Sequence, residues 1–316
     1  MHILTETNKT NETNLKNCLV FGSINLDFFF YVKNLPNPGE TIIGSSFETF
    51  PGGKGFNQAF YINQFCPKQT RFLAFIGNDL NGSLLRRKYI ERDFKNNDDL
   101  IKLSGFQSGC AFITVNEEGE NTIVVNPGSN MNIETSMLLK REEMFKSLDF
   151  VVSQCEIPLE IIELGFSLSK KNNSNVKNIL NLSPIPQTDF LFILKNVDIL
   201  IINEVEFHQI CKIGNFNTLE QLANTYDLEY IICTRGIKSV LIYDKVKNIK
   251  NEVNSFKAKY VVDTCGAGDS FLGGFVAGLM KNVNILKAVE IANKVASKKI
   301  KHKGAQVLIK DIHSFF

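Results

Sequence analysis

Short apolar runs separated by amphipathic stretches recur through most of the chain. Cys18-Leu-Val-Phe-Gly22 is an apolar run closed by glycine, which predicts a buried first strand. Later runs near Phe150–Ser153, Asn178–Leu182, Ile199–Ile202 and Tyr230–Thr234, with Val240–Tyr243 after them, have the same character and are mostly spaced by helical patterns. Such runs between helices indicate a parallel sheet covered on both faces. Helices are predicted over Gly55–Gln64, Leu84–Phe94 and Phe271–Met280, with a strand at Arg71–Ile76, a loop at Gly77–Gly82 and a strand-like Tyr260–Val262.

Two regions break this pattern. Phe28–Val32, a Pro-x-Pro-Gly turn at 36–39 and alternation through Thr41–Gly44 predict short antiparallel strands. Gly109–Val115, a turn at 116–119 and Asn121–Asn126 predict a second such patch. The expected fold class is therefore α/β: a three-layer α/β/α core with a mostly parallel central sheet, plus a small β-sheet lid. One domain is expected over 17–316, with lid insertions at about 28–50 and 108–127. Residues 1–16 are polar, lack the apolar segment of a signal peptide and read as a disordered tail.

Composition narrows the function classes. Thirty-five Lys and Arg balance thirty-three Asp and Glu, which gives no reason to expect a nucleic acid or membrane partner. Seven scattered cysteines without a C-x-x-C pair argue against a disulfide framework or a zinc site and favour a reducing, cytoplasmic setting.

Three segments carry candidate chemistry. Asp263-Thr-Cys-Gly-Ala-Gly-Asp-Ser270 precedes an apolar helix, so backbone amides and the helix dipole can converge on an anion beside Asp269. Phosphoryl transfer needs such an arrangement, with the carboxylate taking the proton of an attacking hydroxyl. The bland alternative makes Asp269 a helix cap. Pro51-Gly-Gly-Lys-Gly-Phe-Asn57 offers close backbone approach with donors at Lys54 and Asn57, or merely a tight turn into a helix; it is not a Walker A loop. Asn25 and Asp27, two apart in an extended segment, point the same way and can bind vicinal hydroxyls, or form a turn.

Together these segments resemble the ribokinase-like carbohydrate kinase family over about residues 19–310. Gly52–Ala59 and Asp263–Phe271 match its two signatures, supported by Leu35–Thr41, Gln154–Glu160, Asn203–Glu206 and Lys303–Gln306. The resemblance implies ATP-dependent phosphorylation of D-ribose at the 5-hydroxyl, with 2-deoxyribose, fructose or adenosine as alternative acceptors. It implies Asp269 as base and Gly266, Ala267 and Gly268 as anion hole. Asn25, Asp27, Gly52, Gly53, Lys54, Asn57 and Glu156 would hold the sugar. Asn203, Thr234, Arg235, Gly236, Ile237, Lys238, Ser239, Gly268 and Asn293 would meet the nucleotide, and Asn203 and Glu206 would hold Mg²⁺ through water. A monovalent cation, K⁺, would activate from a site made by the Asp263 carboxylate and the carbonyls of Cys265, Lys299, His302 and Gly304.

Three departures stand out: Ser239 replaces a frequent glycine, Phe56 a small residue, and Leu308 a common hydroxyl of the cation site. A non-catalytic binding protein on the same scaffold would be expected to lose Asp269 or the glycines before it, and both are present. The lid, with Phe28, Phe29, Phe30 and Tyr31, suggests a homodimer, the alternative being that these rings pack on the core.

Overall fold

The computed structural model describes residues 16–316, so the expected tail lies, Lys16 apart, outside the described residues. The strands are β1 (Cys18–Phe21), β2 (Asn25–Tyr31), β3 (Ser46–Gly52), β4 (Thr70–Gly77), β5 (Leu100–Leu103), β6 (Gly109–Val115), β7 (Asn121–Asn126), β8 (Phe150–Gln154), β9 (Lys177–Asn181), β10 (Ile199–Asn203), β11 (Tyr230–Thr234), β12 (Ser239–Asp244) and β13 (Ile249–Asn254). The helices are α1 (Lys54–Phe65), α2 (Leu80–Ile90), α3 (Thr135–Leu139), α4 (Leu159–Asn172), α5 (Glu204–Gly214), α6 (Leu219–Tyr226), α7 (Ala267–Met280) and α8 (Ile285–Lys299).

Nine strands form one sheet in the order β13-β12-β11-β10-β9-β8-β1-β4-β5. All neighbours are parallel except at the β11-β12-β13 edge. The apolar runs are continuous because alternate residues serve opposite faces. Cys18 and Val20 join the core under α1, α2, α7 and α8, whereas Leu19 and Phe21 join the one under α3 to α6. From β1 the strand order grows one way through β4, and from β8 the other way through β9 and β10. That reversal makes a topological switch point, where the carboxyl ends of parallel strands open a crevice.

The two β insertions do pair as one sheet, in the order β3-β2-β6-β7, joined by the parallel contact of β2 with β6. Asn25 and Asp27 belong to this second sheet, opposite Gly109 and Ala111. Its strands run from 25 to 52 and from 109 to 126, so on the first side the sheet begins three residues before the expected boundary.

Some expectations need correcting. Thr41–Gly44 is not a strand; Ile43 is 96% exposed, and pairing with β2 begins only at Ser46 opposite Tyr31. Alternation without a partner strand does not make a ladder. Tyr260–Val262 is irregular, with Tyr260 and Val261 each 59% and Val262 50% exposed. The sheet edge beyond β12 is taken by β13, whose polar alternation and lack of an apolar run hid it. Helix α2 starts at Leu80, inside the predicted loop, because the Asp79 carboxylate accepts the Gly82 N–H at 2.7 Å and caps it.

Candidate active site

Gly266 immediately precedes helix α7, its φ of +72° lets the chain turn sharply into the helix, and no side chain caps the start. The Ala267 amide already donates to Thr264 O at 3.1 Å. The Gly268 and Asp269 amides have no acceptor among the described residues, and a side chain added at Gly268 would stand in open space. Uncapped helix amides with room before them are suited to an anion.

Asp269 is buried, yet its carboxylate does not cap its own helix. Oδ2 accepts from Asn57 Nδ2 and Oδ1 from Gln58 Nε2, both at 3.0 Å. Both amides come from the first turns of α1, which α7 reaches closely where Gly273 lies against Tyr61. A further row of bonds stiffens them. Gln306 Nε2 donates to Asn57 Oδ1 at 3.2 Å, Arg92 Nε donates to Gln306 Oε1 at 3.1 Å, and Gln58 Nε2 also reaches Asn181 Oδ1 at 3.1 Å. The cap alternative for Asp269 is thereby excluded.

The start of α1 and the end of β1 are tied by one carboxylate. Glu156, just after β8, accepts from Ser23 Oγ at 2.5 Å and from the Lys54 N–H at 2.9 Å. Gly53 holds φ +85° against Ile24, a conformation and a contact that exclude a side chain. Gly52 lies directly on the Asp27 carboxylate. Burial first, then Glu156 and Asp269, push the Asp27 carboxyl up to about 7. Burial would lower the Lys54 pKa, but Asp269, Glu156 and Glu206 outweigh it and hold the ammonium above its ordinary value. Asn25 is held differently: its Oδ1 accepts from Asn130 Nδ2 at 2.7 Å, and Asn130 in turn brackets the Ile24 peptide.

Beside this constellation opens a cleft of about 270 Å³ lined by Lys54, Asn181, Asn203, Glu206, Thr234, Thr264 and residues 266–269 among others. Asn203 and Glu206 form a reciprocal capping box at the start of α5, each side chain bonding the other's N–H at 2.8 Å. One Glu206 oxygen is thus committed, and the other has no partner among the described residues. The expected nucleotide segment is divided. Thr234 lines the cleft, whereas Ile237 is 87% exposed, Gly236 has φ +59°, Lys238 pairs with Glu204, and Arg235 is bonded to Ser239 and Glu252. Asn293 on α8 donates to Asn254 O at 3.1 Å, at the end of β13 rather than in the cleft lining.

Comparison with known proteins fits this geometry. Residues 15–312 match the pfkB family carbohydrate kinase pattern. The chain belongs to the pfkB carbohydrate kinase family. It is 32% identical to the ribokinase of Staphylococcus aureus over 309 residues, covering 92% of this chain and 95% of that one. The ribokinase crystal structure from Thermotoga maritima is 30% identical with a TM-score of 0.83, covering 95% of this chain and 99% of that one. The Arabidopsis thaliana ribokinase structure complexed with ribose and ATP is 25% identical with a TM-score of 0.81, covering 95% and 97%.

Within this carbohydrate kinase, two of the five donors expected for a monovalent cation are already engaged, and the Cys265, His302 and Gly304 carbonyls accept no bond among the described residues. Asp263 Oδ1 accepts the Cys265 N–H and Oδ2 the Gly304 N–H, both at 2.8 Å. The Lys299 carbonyl accepts the His302 N–H at 3.0 Å. The Lys299 side chain, not considered in reading the sequence, donates from Nζ to Asp263 O at 2.8 Å. Burial draws its pKa down, and Asp263, Cys265 and Asp269 oppose that. Leu308 is 73% exposed in a separate surface groove with Lys298, Lys301 and His302. The ammonium standing 3.8 Å from the one carboxylate of the set, rather than the bonding of its oxygens, is what argues against a bound monovalent ion as the resemblance implied.

Phe56 does not crowd the pocket: it is fully buried and stacks on Phe72 with centroids 5.5 Å apart, beside Tyr89 and Phe94. Sequence reading missed Gln58, Asn130, Asn181 and Ser23. Asn181 was recoverable as a polar residue ending a parallel strand.

Proposed function

We propose that the chain transfers the γ-phosphoryl group of ATP to the 5-hydroxyl of D-ribose. The observation that carries the reading is the Asp269 carboxylate, gripped by two amides at the mouth of an uncapped helix. Asp269 takes the proton of the 5-hydroxyl as its oxygen attacks phosphorus. The Gly268 and Asp269 amides then receive the charge on the transferring group, with Gly266 shaping the turn and Ala267 holding it to Thr264. Lys54, cationic and lining the same cleft, faces that charge as well.

The sugar is oriented by Asn25, Asp27 and Asn57, with Glu156 fixing the Gly52–Gly53–Lys54 backbone around it. The Asp27 side chain has no hydrogen-bond partner among the described residues, which suits a carboxylate waiting for hydroxyls. The nucleotide lies along Thr234 to Ser239, near Asn203 and Asn293. The free Glu206 oxygen and Asn203 would hold magnesium through water, and the ion would supply neutralisation of phosphate charge.

Residues 17–316 act as one unit in which the β2-β3-β6-β7 sheet covers the sugar. The outer face of that sheet stacks Phe28 on Phe112 at 5.0 Å and leaves Phe30, Phe47 and Phe112 between 38% and 53% exposed. An apolar face of this kind supports a homodimer through the lid. Seven free cysteines support a reducing compartment, the cytoplasm. No helix among the described residues is long and apolar enough to cross a membrane.

The test is ADP release across pentoses, hexoses and nucleosides at fixed magnesium-ATP. Ribose should give the highest kcat/KM; a clearly higher value for fructose or adenosine would remove the ribose assignment while leaving the kinase intact.

A further inference from the structure

The last turn of α8 carries a positive charge to within 3.8 Å of the carboxylate that was expected to hold an inorganic cation. Lys299 is 0% exposed, and lysine is almost never fully buried unless paired. Its Nζ donates to Asp263 O at 2.8 Å and stands 3.8 Å from Asp263 Oδ2. The carboxylate's own hydrogen bonds come from the Cys265 and Gly304 amides. Asp263 is thus a single negative charge already matched by a single ammonium. A second cation in the same pocket would face Lys299 with no second carboxylate bonded there to offset the repulsion.

The position explains what the charge does. Asp263 begins the turn that delivers the Gly268 and Asp269 amides: Cys265 is folded back onto its carboxylate, and Ala267 onto Thr264. Gly266 rests against Ala305, in the strand of chain that Gly304 pins to Asp263. Lys299 also closes a helix carboxyl end, where the dipole favours a cation.

We propose that the Lys299 ammonium is this chain's own built-in monovalent cation, holding the Asp263–Gly266 turn in place so that the protein works without potassium. The activity readout rests on the kinase reading above; thermal melting does not.

The experiment compares the purified chain in potassium chloride and choline chloride at equal ionic strength, by initial rate with ribose and magnesium-ATP and by melting temperature. The expected result is a rate that changes less than about twofold, set against the roughly 10²–10³-fold value of one oxyanion donor, and an unchanged melting temperature. Lys299→Ser empties the pocket beside Asp263. In choline its kcat should fall by about tenfold or more, and potassium should restore much of the rate and raise its melting temperature by ligand binding. Several-fold activation or marked stabilisation of the unaltered chain by potassium would overturn the proposal, even if the variant does not fold. So would a Lys299→Ser protein fully active in choline and indifferent to potassium. If the unaltered chain is inactive on ribose in both salts, yet only Lys299→Ser is stabilised by potassium, the substrate reading fails and the built-in cation stands.

Discussion

The two sides of the cleft are built differently. On the sugar side most of the assigned side chains are already bonded to another, with the Asp27 carboxylate and the Lys54 ammonium left without a partner among the described residues. Asp269 is held by Asn57 and Gln58, Asn57 by Gln306, Glu156 by Ser23 and the Lys54 amide, and Asn25 by Asn130. On the nucleotide side the corresponding segment rests on surface pairs such as Lys238 with Glu204, and Ile237 lies in solvent. The difference teaches where precision is invested. The base and its neighbours must meet one hydroxyl at hydrogen-bond distance, so their rotamers are locked before substrate arrives. A nucleotide can be held by backbone and apolar contact over a wider surface, which needs less prior order.

Substitutions can break or sharpen that contrast. Asp269→Asn keeps the shape and its neighbours but cannot accept a proton. It should fold, bind ribose and ATP, and lose about 10²–10⁴-fold in kcat. Retention of more than about a tenth of kcat would put the base elsewhere. Asp27→Ala leaves sugar hydroxyls unmatched and should cost about 1–3 kcal/mol of ribose affinity by calorimetry, with ATP affinity unchanged. An unaltered ribose affinity would return Asp27 to a turn-forming role.

The same residue supplies a pH test. Burial, then Glu156 and Asp269, raise its carboxyl to about 7, so below that pH it is mostly protonated and must lose a proton to accept charge-assisted bonds from two hydroxyls. Ribose affinity should therefore weaken by about tenfold per unit as pH falls below 7, and Asp27→Asn should flatten the profile. A profile equally steep in Asp27→Asn would assign the titration to another group. At the small end, Ile237→Ala lies at an exposed position and should alter stability by less than about 0.5 kcal/mol and the KM for ATP little. A large loss there would show that the nucleotide side is as demanding as the sugar side.

Much of this contrast was legible in the sequence, and the illegible parts have physical reasons. Apolar strands such as Ile199–Ile202 announce themselves because burial on both faces forbids polar residues. The edge strand β13 reads Ile-Lys-Asn-Glu-Val-Asn, which pattern alone cannot tell from a loop. Asp269 and Asn57 were singled out because their chemistry sits in short motifs, whereas Glu156 and the role of Asp263 came only through the family resemblance. Gln58 and Asn130 were not, since an amide acquires meaning only from partners 211 and 105 residues away. Lys299 was considered for its carbonyl alone; only packing reveals that its side chain turns inward rather than into solvent. The capping box of Asn203 and Glu206 shows the reverse case, where a motif read as ligand chemistry also has a plain structural use.

The central claim is that Asp269 directs phosphate onto the 5-hydroxyl of ribose. Phosphorus NMR of ribose and magnesium-ATP turning over with the purified chain tests it most directly. One ribose 5-phosphate should accumulate per ADP, and none above background with Asp269→Asn. ADP appearing with free phosphate instead, phosphate on another hydroxyl, or an undiminished signal from Asp269→Asn would contradict it.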